Sequence, residues 1–121
     1  MEVAILRDLL FDQVMVHGEG CPYLIVLAVV NPEGWTQLAQ ATGVRADMPE
    51  SLHDTRIEQQ VLQRISEQIK SFPGYAKVRR VLLLTEAWNI ENGLLTPTLK
   101  LKRGAVATRY ANEIQQLYSG H

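Results

Sequence analysis

Tyr23-Leu24-Ile25-Val26-Leu27-Ala28-Val29-Val30 decides the architecture. A strand with one wet face alternates apolar and polar residues, and this run does not alternate. It therefore predicts a central strand that is buried on both faces. It is also far short of the roughly 20 apolar residues needed to span a bilayer as a helix. Just before it, His17-Gly18-Glu19-Gly20-Cys21-Pro22 is a turn, rich in glycine and closed by proline. Before that turn, Phe11 to Val16 carries Phe11, Val14, Met15 and Val16 and predicts a second strand, so that the two form a hairpin. Val3, Ile5, Leu6, Leu9 and Leu10 sit at helix-like spacing and predict a short first helix.

Downstream of the central run, Asn31-Pro32-Glu33 is a helix start: asparagine caps, proline suits the first helical position, and glutamate suits the positive end of the dipole. The helix it opens runs over Gly34 to Thr42 and stops at Gly43. Arg45 to Glu50 reads as a loop. A longer helix is expected from about Leu52 to Phe72, with Ile57, Val61, Leu62, Ile65 and Ile69 as its apolar stripe and Pro73-Gly74 as its stop. Tyr75 to Val78 is a connection, and Val81-Leu82-Leu83-Leu84 is another buried strand. Val106, Tyr110, Ile114 and Leu117 predict one last helix ending near Tyr118. The fold class is α+β: a small sheet of about three strands with a hairpin, covered by helices.

Composition narrows the function classes. The 121 residues suit one domain, which at this size buries roughly two-thirds of its unfolded surface. The hydrophobic share is 46% and the charged share 21%, as in ordinary globular domains. A net charge of −1 supplies no global attraction to nucleic acid or to an anionic membrane. Cys21 is the only cysteine, which rules out an internal disulfide and suits a reducing compartment. No signal-peptide pattern opens the chain, so the expected location is the cytoplasm.

Most candidate chemistry falls away on inspection. There is no G-x-x-x-x-G-K-[ST] or G-x-G-x-x-G phosphate loop. His17, His53 and His121 lie in separate segments without a cysteine pair, so no metal site is expected. His17 and Cys21 flank a turn, but a nucleophile pair needs a third orienting group and a pocket. Asp47, Glu50, Asp54 and Glu58 decorate a loop and a solvated helix face. Two basic clusters remain, Lys77-Arg79-Arg80 and Lys100-Lys102-Arg103. A nucleic-acid platform would want exposed aromatics beside them, and only Trp88 lies near the second.

The second cluster belongs to Glu91-Asn92-Gly93-Leu94-Leu95-Thr96-Pro97-Thr98-Leu99-Lys100-Leu101-Lys102-Arg103. Asn-Gly predicts a chain reversal, and Thr96-Pro97-Thr98 predicts an extended, stiffened segment. In extended backbone, Lys100 and Lys102 point to one side, away from Leu99 and Leu101. The stretch thus reads as a rigid mount for a mobile cation.

From Ile90 to Arg103 this stretch resembles the catalytic-lysine motif of long-chain fatty acid–CoA ligases, in the AMP-forming adenylating superfamily. Other segments agree in order and spacing: Ile5 to Leu24 is similar to the paired strands after that family's hinge, Phe72-Pro73-Gly74-Tyr75-Ala76-Lys77-Val78 to its F-P-x-Y-A segment, and Ile114 to His121 to its closing helix. The resemblance covers essentially the whole chain, but only the C-terminal lid domain of such an enzyme. It implies one lid domain over residues 1–121, with the large N-terminal adenylation domain and the hinge outside the chain. It implies that Lys100 contacts the fatty-acid carboxylate and the α-phosphate during adenylation, with Lys102 as the competing lysine and with Glu91 and Thr96 as further substrate-binding positions. It implies ATP, Mg2+ and coenzyme A as requirements of the full enzyme, none bound by this domain alone, and the adenylation domain as its partner. Peripheral membrane association of the full enzyme is a further expectation. Two positions depart from the pattern: Cys21 stands where G-E-G-R-P-Y is common, implying a weakened turn contact, and Leu9 where D-P-L-F is common. The rival readings are a stand-alone, non-enzymatic interaction module with the lid fold, and a nucleic-acid-binding domain using Lys77, Arg79, Arg80 and Lys102.

Overall fold

A computed structural model of the chain describes residues 2–18, 20–73 and 77–119. Its sheet is built on the apolar run. Leu24–Val30 forms the middle strand, β2, flanked by β1 (Phe11–His17) on one side and β3 (Val78–Leu84) on the other. β1 pairs antiparallel with β2, giving the expected hairpin, and β3 pairs parallel. A parallel neighbour requires a long crossover, and the two helices between β2 and β3 supply it.

The period of two divides the β2 side chains between two cores. Val26, Ala28 and Val30 join Phe11, Val14, Val81 and Leu83 against α1 (Glu2–Ile5), α2 (Pro32–Thr42) and α3 (Thr55–Ile69). Ile25, Leu27 and Val29 join Met15 and Leu82 against Trp88, Leu94, α4 (Arg103–Arg109) and α5 (Ala111–Ser119). The sheet is thus covered on both sides, and each buried aliphatic side chain contributes roughly 1.5–3 kcal/mol relative to exposure. Among the described residues no helix is long and apolar enough to cross a membrane.

The α2 signals act as expected. Asn31 Oδ1 accepts from the N–H groups of Glu33 and Gly34 at 3.0 and 3.1 Å, Pro32 opens the helix, and Gly43 closes it at φ 87°. Several boundaries move. The first helix ends at Ile5 because the Asp8 carboxylate turns the chain: Oδ1 accepts from Leu10 N–H at 3.0 Å, leaving Val3, Leu6 and Leu9 exposed. α3 starts at Thr55 rather than near Leu52, because Asp54 caps it through Arg56 N–H at 2.8 Å and Pro49–His53 is a separate 3₁₀ turn. It ends at Ile69, with Ile57, Val61, Ile65 and Ile69 fully buried.

β3 begins at Val78, so Arg79 and Arg80 lie within the strand instead of before it. Arg80 is accommodated there by Glu58 of α3, which accepts from Arg80 Nε at 2.8 Å and from Val81 N–H at 3.0 Å. The last helix is two helices. Val106, Tyr110, Ile114 and Leu117 are all buried at the expected spacing, but Tyr110, at φ −107°, makes a bend between α4 and α5. Of the F-P-x-Y-A segment, Gly74, Tyr75 and Ala76 lie outside the described residues.

Leu27→Ala should cost about 3 kcal/mol, seen as a lower urea midpoint with an unchanged slope. The Arg64 guanidinium, 2.6–2.8 Å from both Asp8 oxygens, outweighs burial and holds the Asp8 carboxyl below its ordinary value. A depressed folded-state value stabilises the fold above the unfolded pKa of about 3.9 and loses that contribution as pH falls below it. The stability gap between the wild type and Asp8→Asn should therefore narrow on acidification from about pH 5 to about pH 2, measured by denaturant titration at each pH.

Candidate functional site

The Lys100 loop is assembled from its base upward. After β3 the chain lays Trp88 into the second core, and the Gln13 side chain on β1 holds its backbone from both sides: Trp88 N–H donates to Oε1 at 2.7 Å, and Nε2 donates to Trp88 O at 2.9 Å. Trp88 Nε1 is buried with no hydrogen-bond partner among the described residues. Asn89 and Asn92 then clasp each other: Asn89 N–H donates to Asn92 Oδ1 at 3.0 Å, and Asn92 N–H donates to Asn89 Oδ1 at 2.8 Å. Gly93 takes φ 79°, so the Asn-Gly reversal forms as expected.

The next segment corrects the expectation of extended backbone. Leu95 and Leu101 pair across an antiparallel bridge, and residues 96–100 close a tight hairpin loop between them. Leu99 N–H donates to Thr96 O at 2.8 Å, with Pro97 at the second turn position that suits its fixed φ. Leu99 takes φ 65°, the left-handed conformation that completes a three-residue hairpin loop. Leu99 is consequently 67% exposed, while Leu101 packs on the second core. Proline stiffens the segment, but as a turn.

This geometry brings Thr96 and Lys100 together. Lys100 N–H donates to Thr96 Oγ1 at 3.0 Å, and Lys100 O accepts from Thr96 N–H at 2.8 Å. The Lys100 backbone is therefore held on both sides by one residue while its side chain is exposed. Lys102 is exposed as well, at the foot of the loop, where its N–H donates to Leu94 O at 2.9 Å. Glu91 lies exposed in the preceding turn, and among the described residues no hydrogen bond or ion pair joins it to Lys100. The structure thus unites two of the four candidate residues directly and places Lys102 at the base.

Charge pairing separates the basic residues. Arg80 is matched by Glu58 and Arg103 by Glu2, so neither cluster acts as three free cations. Lys77, Arg79, Lys100 and Lys102 lack a carboxylate partner among the described residues. Burial pushes the Glu2 carboxyl up, but the Arg103 fork and the Val16 N–H at 2.8 Å more than offset this and leave it below the ordinary value. Glu2 and Gln13 escape a reading of the sequence. The available signal was Arg103 itself, a cation at the positive end of a helix, where it needs a partner from elsewhere.

Beside His17, Cys21 N–H donates to Gly18 O at 2.8 Å. No hydrogen bond joins His17 to Cys21 among the described residues, and Cys21 is exposed. A Cβ on Gly18 would meet Tyr118 Oη at 2.6 Å and Tyr23 O at 2.7 Å, so the position admits only glycine. Burial first, and then the neighbouring Cys21, raise the pKa of Tyr118, which donates to Tyr23 O at 3.0 Å. No group of three or more His, Cys, Asp or Glu side chains is placed to hold a metal ion among the described residues.

Thr96→Val keeps the shape of residue 96 and removes its oxygen. With about 1 kcal/mol lost from one hydrogen bond, the Lys100 amide should exchange with solvent roughly fivefold faster, read by hydrogen exchange, while Thr96→Ser should match the wild type.

The whole chain, this hairpin included, falls within a match to a known family. The model of the AMP-binding enzyme C-terminal domain matches residues 1–121. The chain is 33% identical over 109 residues to long-chain-fatty-acid–CoA ligase 5 of Rattus norvegicus, a match covering 88% of this chain and 16% of that protein. It is 34% identical over 116 residues to the peroxisomal acyl-CoA ligase 891 of Penicillium roqueforti, again over 88% of this chain and 16% of the relative. The chain thus spans about one-sixth of the length of these relatives. Among solved structures, the A domain of carboxylic acid reductase from Segniliparus rugosus, in complex with AMP and a co-purified carboxylic acid, superposes with a TM-score of 0.75 at 22% identity, covering 98% of this chain and 17% of that one. With its α+β architecture and its matched length, this chain belongs to the AMP-binding enzyme C-terminal domain family.

Proposed function

We propose that this domain is the C-terminal lid of a long-chain fatty acid–CoA ligase and that Lys100 is its adenylation lysine. The observation that carries this reading is the Lys100 hairpin. Its backbone is tied through Thr96 at 3.0 and 2.8 Å, and its side chain extends into solvent without a carboxylate partner among the described residues. Lys77, Arg79 and Lys102 also lack carboxylate partners among the described residues, so the twice-tied hairpin, and not the missing partner, sets Lys100 apart. Lys100 is mounted to meet something that this chain does not contain.

The reaction explains such a mount. Adenylation brings a fatty-acid carboxylate against the α-phosphate of ATP, with pyrophosphate leaving, so two anions must approach. A cation reaching between them relieves the repulsion as charge moves onto the leaving group. A compact ammonium on a flexible stem can follow that shift, and the fixed hairpin limits the freedom lost in placing it. At about 4 Å and an effective dielectric near 20, one charge pair is worth roughly 4 kcal/mol. If half to all of this arises only in the transition state, its loss slows adenylation about 30- to 1,000-fold.

The fatty acid, ATP, magnesium and coenzyme A are assigned to a site shared with the N-terminal adenylation domain. In that division this chain contributes the cation, Lys100, to the shared site. Lys102 is the secondary lysine at the loop's foot. Thr96 is a positioning residue for Lys100, and Glu91 stays a substrate-facing candidate on the neighbouring turn.

In the complete ligase, Lys100→Ala should lower acyl-adenylate formation about 30- to 1,000-fold, measured by ATP–pyrophosphate exchange, and leave thioester formation from supplied acyl-adenylate nearly unchanged. Equal loss of both half-reactions would remove the assigned role. The 121-residue chain alone, given ATP, magnesium and palmitate, should release no pyrophosphate, and sustained release would overturn the two-domain reading.

A further inference from the structure

Arg103 occupies a position that its own helix does not favour. It is the first residue of α4, a helix of 7 residues without a side-chain cap, and a cation there opposes the positive end of the helix dipole. Its stabilising partner comes from the other end of the chain. Arg103 Nη1 donates to Glu2 Oε2 at 2.7 Å, and Nη2 donates to Glu2 Oε1. Glu2 is committed in turn, since Oε2 also accepts from Val16 N–H at 2.8 Å on the outer edge of β1. One carboxylate therefore ties α1, β1 and the start of α4 together. A bidentate fork fixes orientation as well as distance.

The link from this pair to Lys100 is short and stiff. Between Arg103 and Lys100, Lys102 N–H is bonded to Leu94 O at 2.9 Å, and Leu101 is paired with Leu95. A displacement of the start of α4 is thus passed to the Lys100 backbone rather than absorbed by a loop. We propose that Glu2 and Arg103 form a strut that sets the position of the Lys100 hairpin, which makes them positioning residues for adenylation. The catalytic half of this statement rests on the reading of Lys100 given above, whereas the mechanical half does not.

The two halves are tested separately. In the 121-residue chain, Glu2→Gln and Arg103→Gln should each raise amide exchange over residues 95–102 about tenfold, with β2 exchange unchanged. Arg103→Lys, which keeps the charge but not the fork, should resemble Arg103→Gln. In the complete ligase, the same variants should lower kcat for acyl-adenylate formation about tenfold, with KM for ATP and thioester formation from supplied acyl-adenylate unchanged. The double variant should be no worse than either single one. Wild-type exchange in the hairpin, or loss of β2 protection along with it, overturns the strut. Lys100→Ala, run in parallel, separates the causes. If it cripples adenylation and the strut variants do not, the strut's catalytic role is wrong. If it leaves adenylation intact, the reading of Lys100 fails, and the exchange data still judge the strut.

Discussion

Everything in this domain follows from β2 having to be dry on both faces. Residues 25–30 are each at most 2% exposed, and in a three-stranded sheet that is possible only if helices cover both sides. α2 and α3 lie in the crossover between β2 and β3 and so serve one face. Residues after β3 must serve the other, and for that reason the chain beyond Leu84 folds back over Ile25, Leu27 and Val29. The Lys100 hairpin is carried on this returning segment. Its root, Leu94, Leu95 and Leu101, belongs to the second core, so the loop is seated by the same apolar burial that completes the sheet.

The outer strands meet a related requirement. Each has a backbone N–H directed away from the sheet, Val16 on β1 and Val81 on β3, and each is satisfied by a glutamate that an arginine also holds. Glu58 with Arg80 secures β3 to α3, and Glu2 with Arg103 secures β1 to α4. Charged side chains at an edge also discourage pairing with another chain. Two of the residues that look like basic surface patches are in this sense parts of the sheet.

At the site itself, a local cost is set against a positional gain. Leu99 in the left-handed region costs about 1–2 kcal/mol. The hairpin hydrogen bonds, at roughly 1 kcal/mol each, are of the same size and offset it. The result is a loop held in one shape, in which Lys100 keeps a mobile side chain on an immobile backbone. Asn92 and Gln13 extend the same logic to the turn and to Trp88, replacing missing backbone partners with side-chain amides.

The fold class, the hairpin, the capped start and glycine stop of α2 and the apolar stripe of α3 were legible in the sequence, because each rests on local periodicity or turn chemistry. The rest depended on partners far away in the chain. Asp8 ends α1 while paired to Arg64. Arg80 enters a strand because Glu58 receives it. Thr96-Pro97-Thr98 turns rather than extends because Leu95 and Leu101 meet across it. Arg103, unfavourable where it stands by local rules, is explained only by Glu2, 101 residues away. Local sequence determined most of the elements and put an exposed cation, Lys100, in a turn-forming stretch. Tertiary structure decided where that charge is held, since hydrogen bonds and ion pairs between distant segments leave no periodic signal in the order of residues.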